Sequence, residues 1–370
     1  VLKSDGKIKL IDLGRAFDID QTITEAIHSI REAQEGPEII LKQLYKLLWA
    51  PLEKSLRGID KVIISPDGML NLAPFAALID KSGAPLVERF IITHVTSGRE
   101  IMTPAENTPP GNDILVLAAD ADFDYREVIQ LRPDLTRTKG GTFWFKPLPG
   151  TLQEAAEIQP LIPGDPGQIK ILLKDKATKN AILNVENPRI LHLATHGFSL
   201  PNPVDRFLPA ATGLPRGLHS LTQMGLALAG ANQADIEAGN DSGLLTIIEI
   251  AGMELQGTHL VVLSSCNPGI GEFMSGEGIF AFRRAFVLAG AKNLVMNLWP
   301  VNEKYTLLHM KEFYKNLADM SPAEALRQTQ LQIIEDLKKD ESYAGPLPWA
   351  PFIIRGGQAL TDTVWPNKKK

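Results

Sequence analysis

Four short, unbroken apolar runs constrain this chain more than any other feature: ILVLAAD (114–120), RILHLATHG (189–197), HLVVLSSC (259–266) and NLVMNLWP (293–300). None alternates apolar with polar residues, so each needs cover on both faces, as a strand inside a parallel sheet does. Segments of helical spacing stand between and after them, at TLQEAAEIQPLI (151–162), in the second half of KILLKDKATKNAILNV (170–185), at SGEGIFAFRRAFVLAGA (275–291), and over 307–317 and 322–339. With a late strand at PFIIRG (351–356), this alternation predicts an α/β fold, an open, mostly parallel sheet flanked by helices.

The front of the chain reads as a unit. KIKLIDLG (7–14), KVIISPDG (61–68) and FIITHV (90–95) are strand candidates, and 22–56 is helical in two pieces broken at Gly36-Pro37. TPAENTPPGND (103–113) holds three prolines and reads as a linker. We therefore expect an N-terminal half over 1–110 and a second half over 111–370. The second half is interrupted by a long loop at 199–257, with four prolines between 201 and 217.

Composition narrows the function. A 44% apolar, 22% charged chain is an ordinary globular protein, and 38 basic against 43 acidic residues argues against a dedicated nucleic-acid binder. No apolar run approaches the roughly 18 residues of a membrane span, and the first ten residues do not resemble a signal peptide. A start at valine suggests a piece of a longer chain. The single cysteine, Cys266, excludes an internal disulfide and a thiolate zinc cluster, and points to the cytosol. GEGIFA (276–281) fits a dinucleotide G-x-G-x-x-A pattern, but the preceding strand ends about ten residues too early. We expect no cofactor and no metal.

Ligands of open α/β sheets sit beyond the carboxyl ends of the strands. One strand delivers His196 and then Gly197 there, and another delivers Cys266. If these strands are neighbours, the imidazole can lower the thiol pKa and protonate a leaving amine. The main-chain N–H groups of Gly197 and Cys266 would then meet an oxyanion. Taken singly, such a cysteine is also a small core hydrophobe and such a histidine a structural one. His192 shares the even-position facing of His196 and reads as buried. Asp120, Asp122 and Asp124 follow a strand end, placed to line the cleft or, less favourably, to hold a cation. Phe143, Trp144 and Phe145 read as a packing cluster.

LHLATHG, VVLSSCNPGIGEFMSGEGIFAFRRAFVLAGAKNLVMNLWPVNEKYT and PWAPFIIRGG resemble the CHAT domain, a caspase-like cysteine peptidase module related to separases. IDLG, LYKLLWAPLEKSLRG, VIISPDGMLNLAPFAAL and ITHVTSGRE extend the resemblance to the front half. It implies a caspase-type fold with an N-terminal pseudo-protease half and a His196–Cys266 dyad that needs no third carboxylate. Ser265 and Pro268 stand where the family commonly has alanine and threonine, and Asn302 and Glu303 replace its usual acidic pair. The separase relationship implies a carboxylate in that region for a basic P1 side chain, which Glu303 would supply beside Asn302; Asp120, from its place after a strand end, is a further substrate-facing candidate. Caspase specificity is not implied: the Gln-Ala-Cys signature is missing, and 70 residues separate His196 from Cys266 against about 50 in caspases. The resemblance further implies a protein substrate and an activating partner, or an upstream tetratricopeptide repeat array before Val1; the charge balance and the apolar runs give the expectation of neither nucleic acid nor membrane as a partner. The reading of a different class is a catalytically silent protein-interaction module.

Overall fold

The structure, a computed structural model, describes residues 1–2, 6–32, 36–102, 108–125, 144–199, 224–234, 243–264, 276–339, 345–357, 360 and 363–365. Two helices open it, α1 (Ala16–Arg31) and α2 (Pro37–Leu48). The break falls where predicted, at Gly36 with φ 82°, followed by Pro37 in the first helical turn, where its missing N–H costs nothing. Then come β1 (Lys61–Ile64), β2 (Ile91–His94), the single turn α3 (Arg99–Met102), β3 (Leu115–Ala121), α4 (Pro149–Ile158), β4 (Ile169–Lys174), α5 (Lys179–Leu183) and β5 (Ile190–Leu193). The excursion holds β6 (Gly197–Ser199), β7 (Met224–Ala227), β8 (Leu244–Thr246) and α6 (Ile247–Ala251). The chain closes through β9 (Leu260–Leu263), α7 (Gly276–Leu288), β10 (Leu294–Asn297), α8 (Glu303–Leu317), α9 (Pro322–Lys339) and β11 (Phe352–Arg355).

Eight strands form one sheet in the order β1-β2-β11-β10-β9-β5-β3-β4. Every pairing in it is parallel except β10 with β11. Consecutive residues of one strand feed two different cores. Leu115, Leu117, Leu260 and Val262 pack with Ala155 and Ile158 of α4 and Phe313 and Tyr314 of α8. Val116, Ala118, Val261 and Leu263 pack with Ile250 of α6 and Phe282 and Phe286 of α7. The apolar runs are thus covered on both faces, as their composition demands.

Two expectations change. KIKLIDLG forms no strand: only Ile8 bridges, to Leu2, and Ile8 and Leu10 are exposed. Its alternation offers one apolar face but meets no sheet edge to pair with. The excursion is not wholly irregular, since β6, β7 and β8 make a small antiparallel sheet. Gly225 is required there, because a Cβ at that position would lie 2.0 Å from the carbonyl oxygen of Leu245. Among the described residues no helix is long and apolar enough to cross a membrane.

Two buried imidazoles couple this fold to pH. His94 of β2 meets the carbonyl of Ile354 at 3.2 Å, and His309 of α8 stacks on Phe352 at 3.7 Å with neither ring nitrogen hydrogen-bonded. Burial pushes both down to about 3, and the charge of Arg283 adds to the shift of His94. In the unfolded chain each titrates near 6.5, so the unfolded state takes up protons first as the pH falls. Stability is therefore complete above about pH 6.5 and declines below it by about 1.4 kcal/mol per pH unit for each imidazole. Urea titrations between about pH 7.5 and pH 5 should show this slope. His309→Leu should halve it and, by removing two unsatisfied buried nitrogens, raise stability at neutral pH by about 1–2 kcal/mol.

Candidate active site

β5 and β9 are neighbours, paired in parallel from Ile190 with Leu260 to Leu193 with Leu263. Parallel strands end at the same edge, so the chains leading to His196 and Cys266 leave the sheet side by side. The ladder runs one residue further, with Ser264 N–H donating to Leu193 O at 3.1 Å. Ser264 is the last described residue on that side, and Ser265, Cys266 and Pro268 lie outside the described residues.

His196 is 3% exposed. Its Nε2 lies 2.7 Å from the carbonyl oxygen of Lys146. A carbonyl can only accept, so Nε2 carries the proton. The ring rests against Phe123 and Phe145, at centroid separations of 5.3 and 5.8 Å, and Phe198 closes on Phe145 edge-first. Asn232 sets the height of the Lys146 carbonyl by clamping the preceding residue: Phe145 N–H donates to its Oδ1 at 2.8 Å, and its Nδ2 donates to Phe145 O at 3.0 Å. From behind, Ala227 N–H donates to His196 O at 2.8 Å, and Gly197 begins β6 buried and in register with Leu226.

His192 is not on the same side as His196. β5 ends at Leu193, so strand alternation does not carry through to position 196. The fully buried His192 faces α4 and α8 instead, with Nδ1 2.9 Å from the Tyr314 hydroxyl and Nε2 2.9 Å from Glu154 Oε1. The second approach is a close contact of the ring with the carboxylate and not a hydrogen bond. Ser264 Oγ donates to the other oxygen of Glu154 at 2.8 Å. Burial, with Glu154 adding, drives the Tyr314 hydroxyl well above its ordinary range, so it remains a neutral donor.

The remaining candidates are placed differently. Asp120 is buried at the end of β3 with φ 47°, a backbone strain that Lys174 shares across the ladder at φ 53°. Its N–H donates to Thr151 Oγ1 at 2.7 Å, and Lys174 Nζ stands 2.6 Å from its carboxylate. Asn302 caps α8 by accepting from Lys304 N–H at 2.8 Å. Glu303 is exposed, and its carboxylate lies against Gly150 at the head of α4, where a Cβ would come within 2.3 Å of it. Phe145 is in the core and Trp144 is 58% exposed, while Phe143 is outside the described residues. Among the described residues no three metal-ligating side chains come together.

Reasoning from sequence missed Lys146, Asn232, Glu154 and Tyr314. A backbone carbonyl leaves no mark in a sequence. Glu154 does leave one, since it stands on the buried face of α4 with Thr151, Ala155 and Ile158, at a position where helical spacing calls for an apolar residue. The packing around the imidazole predicts a sharp contrast. Phe145→Ala should cost about 3–5 kcal/mol in urea denaturation, whereas Trp144→Ala, next to it in sequence, should change stability by less than about 0.5 kcal/mol.

The profile of the CHAT domain family matches residues 38–357. Tetratricopeptide repeat protein 28 of Mus musculus is 26% identical over 360 residues, which covers 88% of this chain and 14% of that protein. The chain therefore spans about one-seventh of the length of this relative. The Saccharomyces cerevisiae separase–securin complex superposes with a TM-score of 0.45 at 10% identity, over 95% of this chain and 23% of that one. The Arg-specific cysteine proteinase gingipain R (RgpB) superposes with a TM-score of 0.43 at 11% identity, over 94% of this chain and 76% of that one.

Proposed function

The chain belongs to the CHAT domain family, and on that footing we propose that it is a cysteine endopeptidase with Cys266 as nucleophile and His196 as general base and then acid. The observation that carries this reading is the parallel β5–β9 pair, which sends the chains bearing the only thiol and a carbonyl-held imidazole out at one edge. With Nε2 committed to Lys146 O, proton exchange with the thiol falls to Nδ1. The thiol gives its proton to Nδ1, and sulfur attacks the scissile carbonyl carbon. The oxyanion is met by the main-chain N–H groups of Gly197 and Cys266. As the tetrahedral intermediate collapses, the C–N bond breaks and His196 returns the proton to the leaving amine. Water, deprotonated by the same imidazole, then hydrolyses the thioester.

The substrate is a protein, and Glu303 is the carboxylate we assign to a basic P1 side chain. It is exposed at the same sheet edge, whereas the Asp120 carboxylate already faces Lys174 and Asn302 is engaged as a helix cap. Control by a partner fits a relative that is by name a tetratricopeptide repeat protein, since an array of that kind outside this chain would dock an activator.

The single thiol gives a direct test. Alkylation of Cys266, followed by intact mass across pH, should show a midpoint below the free value of about 8.5, and His196→Ala should abolish the shift. Identical profiles for the two proteins would overturn the dyad. Termini generated from a peptide library should carry Lys or Arg on the carboxyl side of the cut and should vanish with Cys266→Ala. Glu303→Gln should lower cleavage after basic residues by about tenfold, the scale of one lost charge-assisted contact.

A further inference from the structure

Behind His196, on the opposite side of β5, lies a buried polar cluster for which the proposed mechanism has no use. Ser264, Glu154, His192 and Tyr314 are 1%, 3%, 0% and 2% exposed, and they come from the residue after β9, from α4, from β5 and from α8 in turn. At its centre is one carboxylate with two oxygens and two different strands to hold. Oε2 accepts from Ser264 Oγ at 2.8 Å, and Oε1 stands 2.9 Å from His192 Nε2. Ser264 is two residues before Cys266, and His192 is four before His196. The helix that carries Glu154 starts just after Lys146, whose carbonyl holds the His196 ring, and Thr151 Oγ1 donates to Leu148 O at 2.7 Å to fix that entry. A single side chain thus touches the strand leading to each member of the dyad and belongs to the helix that follows the ring's anchor.

A carboxylate in the core is costly unless it is fully partnered, and an apolar residue would pack α4 onto the sheet at less cost. We propose that Glu154, with His192 and Ser264, is a positioning network that sets the register of the two strand ends and so the approach of the Cys266 thiol to the His196 ring. This rests on the peptidase reading. Tyr314 completes the network by holding the second nitrogen of His192 at 2.9 Å, so the imidazole cannot turn away from the carboxylate without losing that contact.

The experiment measures Cys266 alkylation against pH by intact mass in the parent chain, Glu154→Gln, Ser264→Ala, Ser264→Thr and His196→Ala, with a urea melt of each. Ser264→Ala and Glu154→Gln should unfold cooperatively yet alkylate about tenfold more slowly near pH 6.5, the loss that follows when a thiol pKa rises by about one unit. Ser264→Thr keeps the hydroxyl and should recover the parent profile to within about threefold, which a role in stability alone would not produce. If Glu154→Gln fails to fold, the Ser264 pair decides the matter. Folded Ser264→Ala with the parent's profile, while His196→Ala shifts, would overturn this inference and leave the dyad standing. A His196→Ala profile equal to the parent's would overturn both.

Discussion

A parallel strand pair delivers both of its ends to one edge, and the β5–β9 pair is the constraint on which the rest of this molecule depends. Parallel strands have no tight turn available to them, so each connection must cross a face of the sheet as a helix or a long excursion. The sheet is thereby covered on both sides, which is why Leu260 and Val262 face one core while Val261 and Leu263 face the other. The same connections gather at the carboxyl edge. α4 enters there with Lys146 before it and Gly150 in its first turn, β6 begins there at Gly197, and α8 starts there at Asn302 and Glu303. Chemistry collects at this edge because the chain has to turn there.

The front half is held to this arrangement by β11. It runs antiparallel to β10 and parallel to β2, so it converts two sets of parallel strands pointing in opposite directions into one sheet. The seam carries buried guanidiniums. Arg283 of α7 donates to the side-chain and main-chain oxygens of Asn71 at 2.9 and 3.1 Å, and Arg355 of β11 pairs with Glu100. Burial first, and then the charge of Arg355, lowers Arg283 to about 9. Such groups contribute little net stability once their desolvation is counted, but their forked donors accept few alternative partners. They define how the front elements seat on α7, the helix that leads away from the Cys266 segment.

What could be read from the sequence follows from where the physical signal lies. The central strands were legible because two-sided burial writes itself as an unbroken apolar run. KIKLIDLG misled because alternation shows that a segment can join a sheet, not that an edge is open to it. His196 stood out by its place after a strand, yet its side of the sheet did not, because β5 ends before it and the alternation of His192 no longer applies. Strand order was beyond reach, since nothing in RILHLATHG or HLVVLSSC states that they are neighbours. Glu154 was readable in principle, as a carboxylate on an apolar helix face. The carbonyl of Lys146 was not, because every residue has one and only the fold selects which of them faces the imidazole.

That selection has an electrostatic consequence for the proposed reaction. A carboxylate behind a catalytic imidazole fixes its tautomer and stabilises the imidazolium, but it also adds a negative charge to the site. A carbonyl fixes the same tautomer with a dipole alone. A thiolate–imidazolium pair formed against Lys146 O is then neutral as a unit, and the carbonyl adds no net charge beside the oxyanion that develops on attack. Of the buried carboxylates near these strands, Glu154 is kept across the sheet from the ring, against Ser264 and His192, and Asp120 at the end of β3 faces Lys174. The aromatic nest of Phe123, Phe145 and Phe198 fits the same design, since it excludes water from the imidazole without introducing charge. Orientation from a neutral acceptor on one side of the sheet, with Glu154 fastening the strands from the other, lets the ring be held by a dipole while that carboxylate stays behind the sheet.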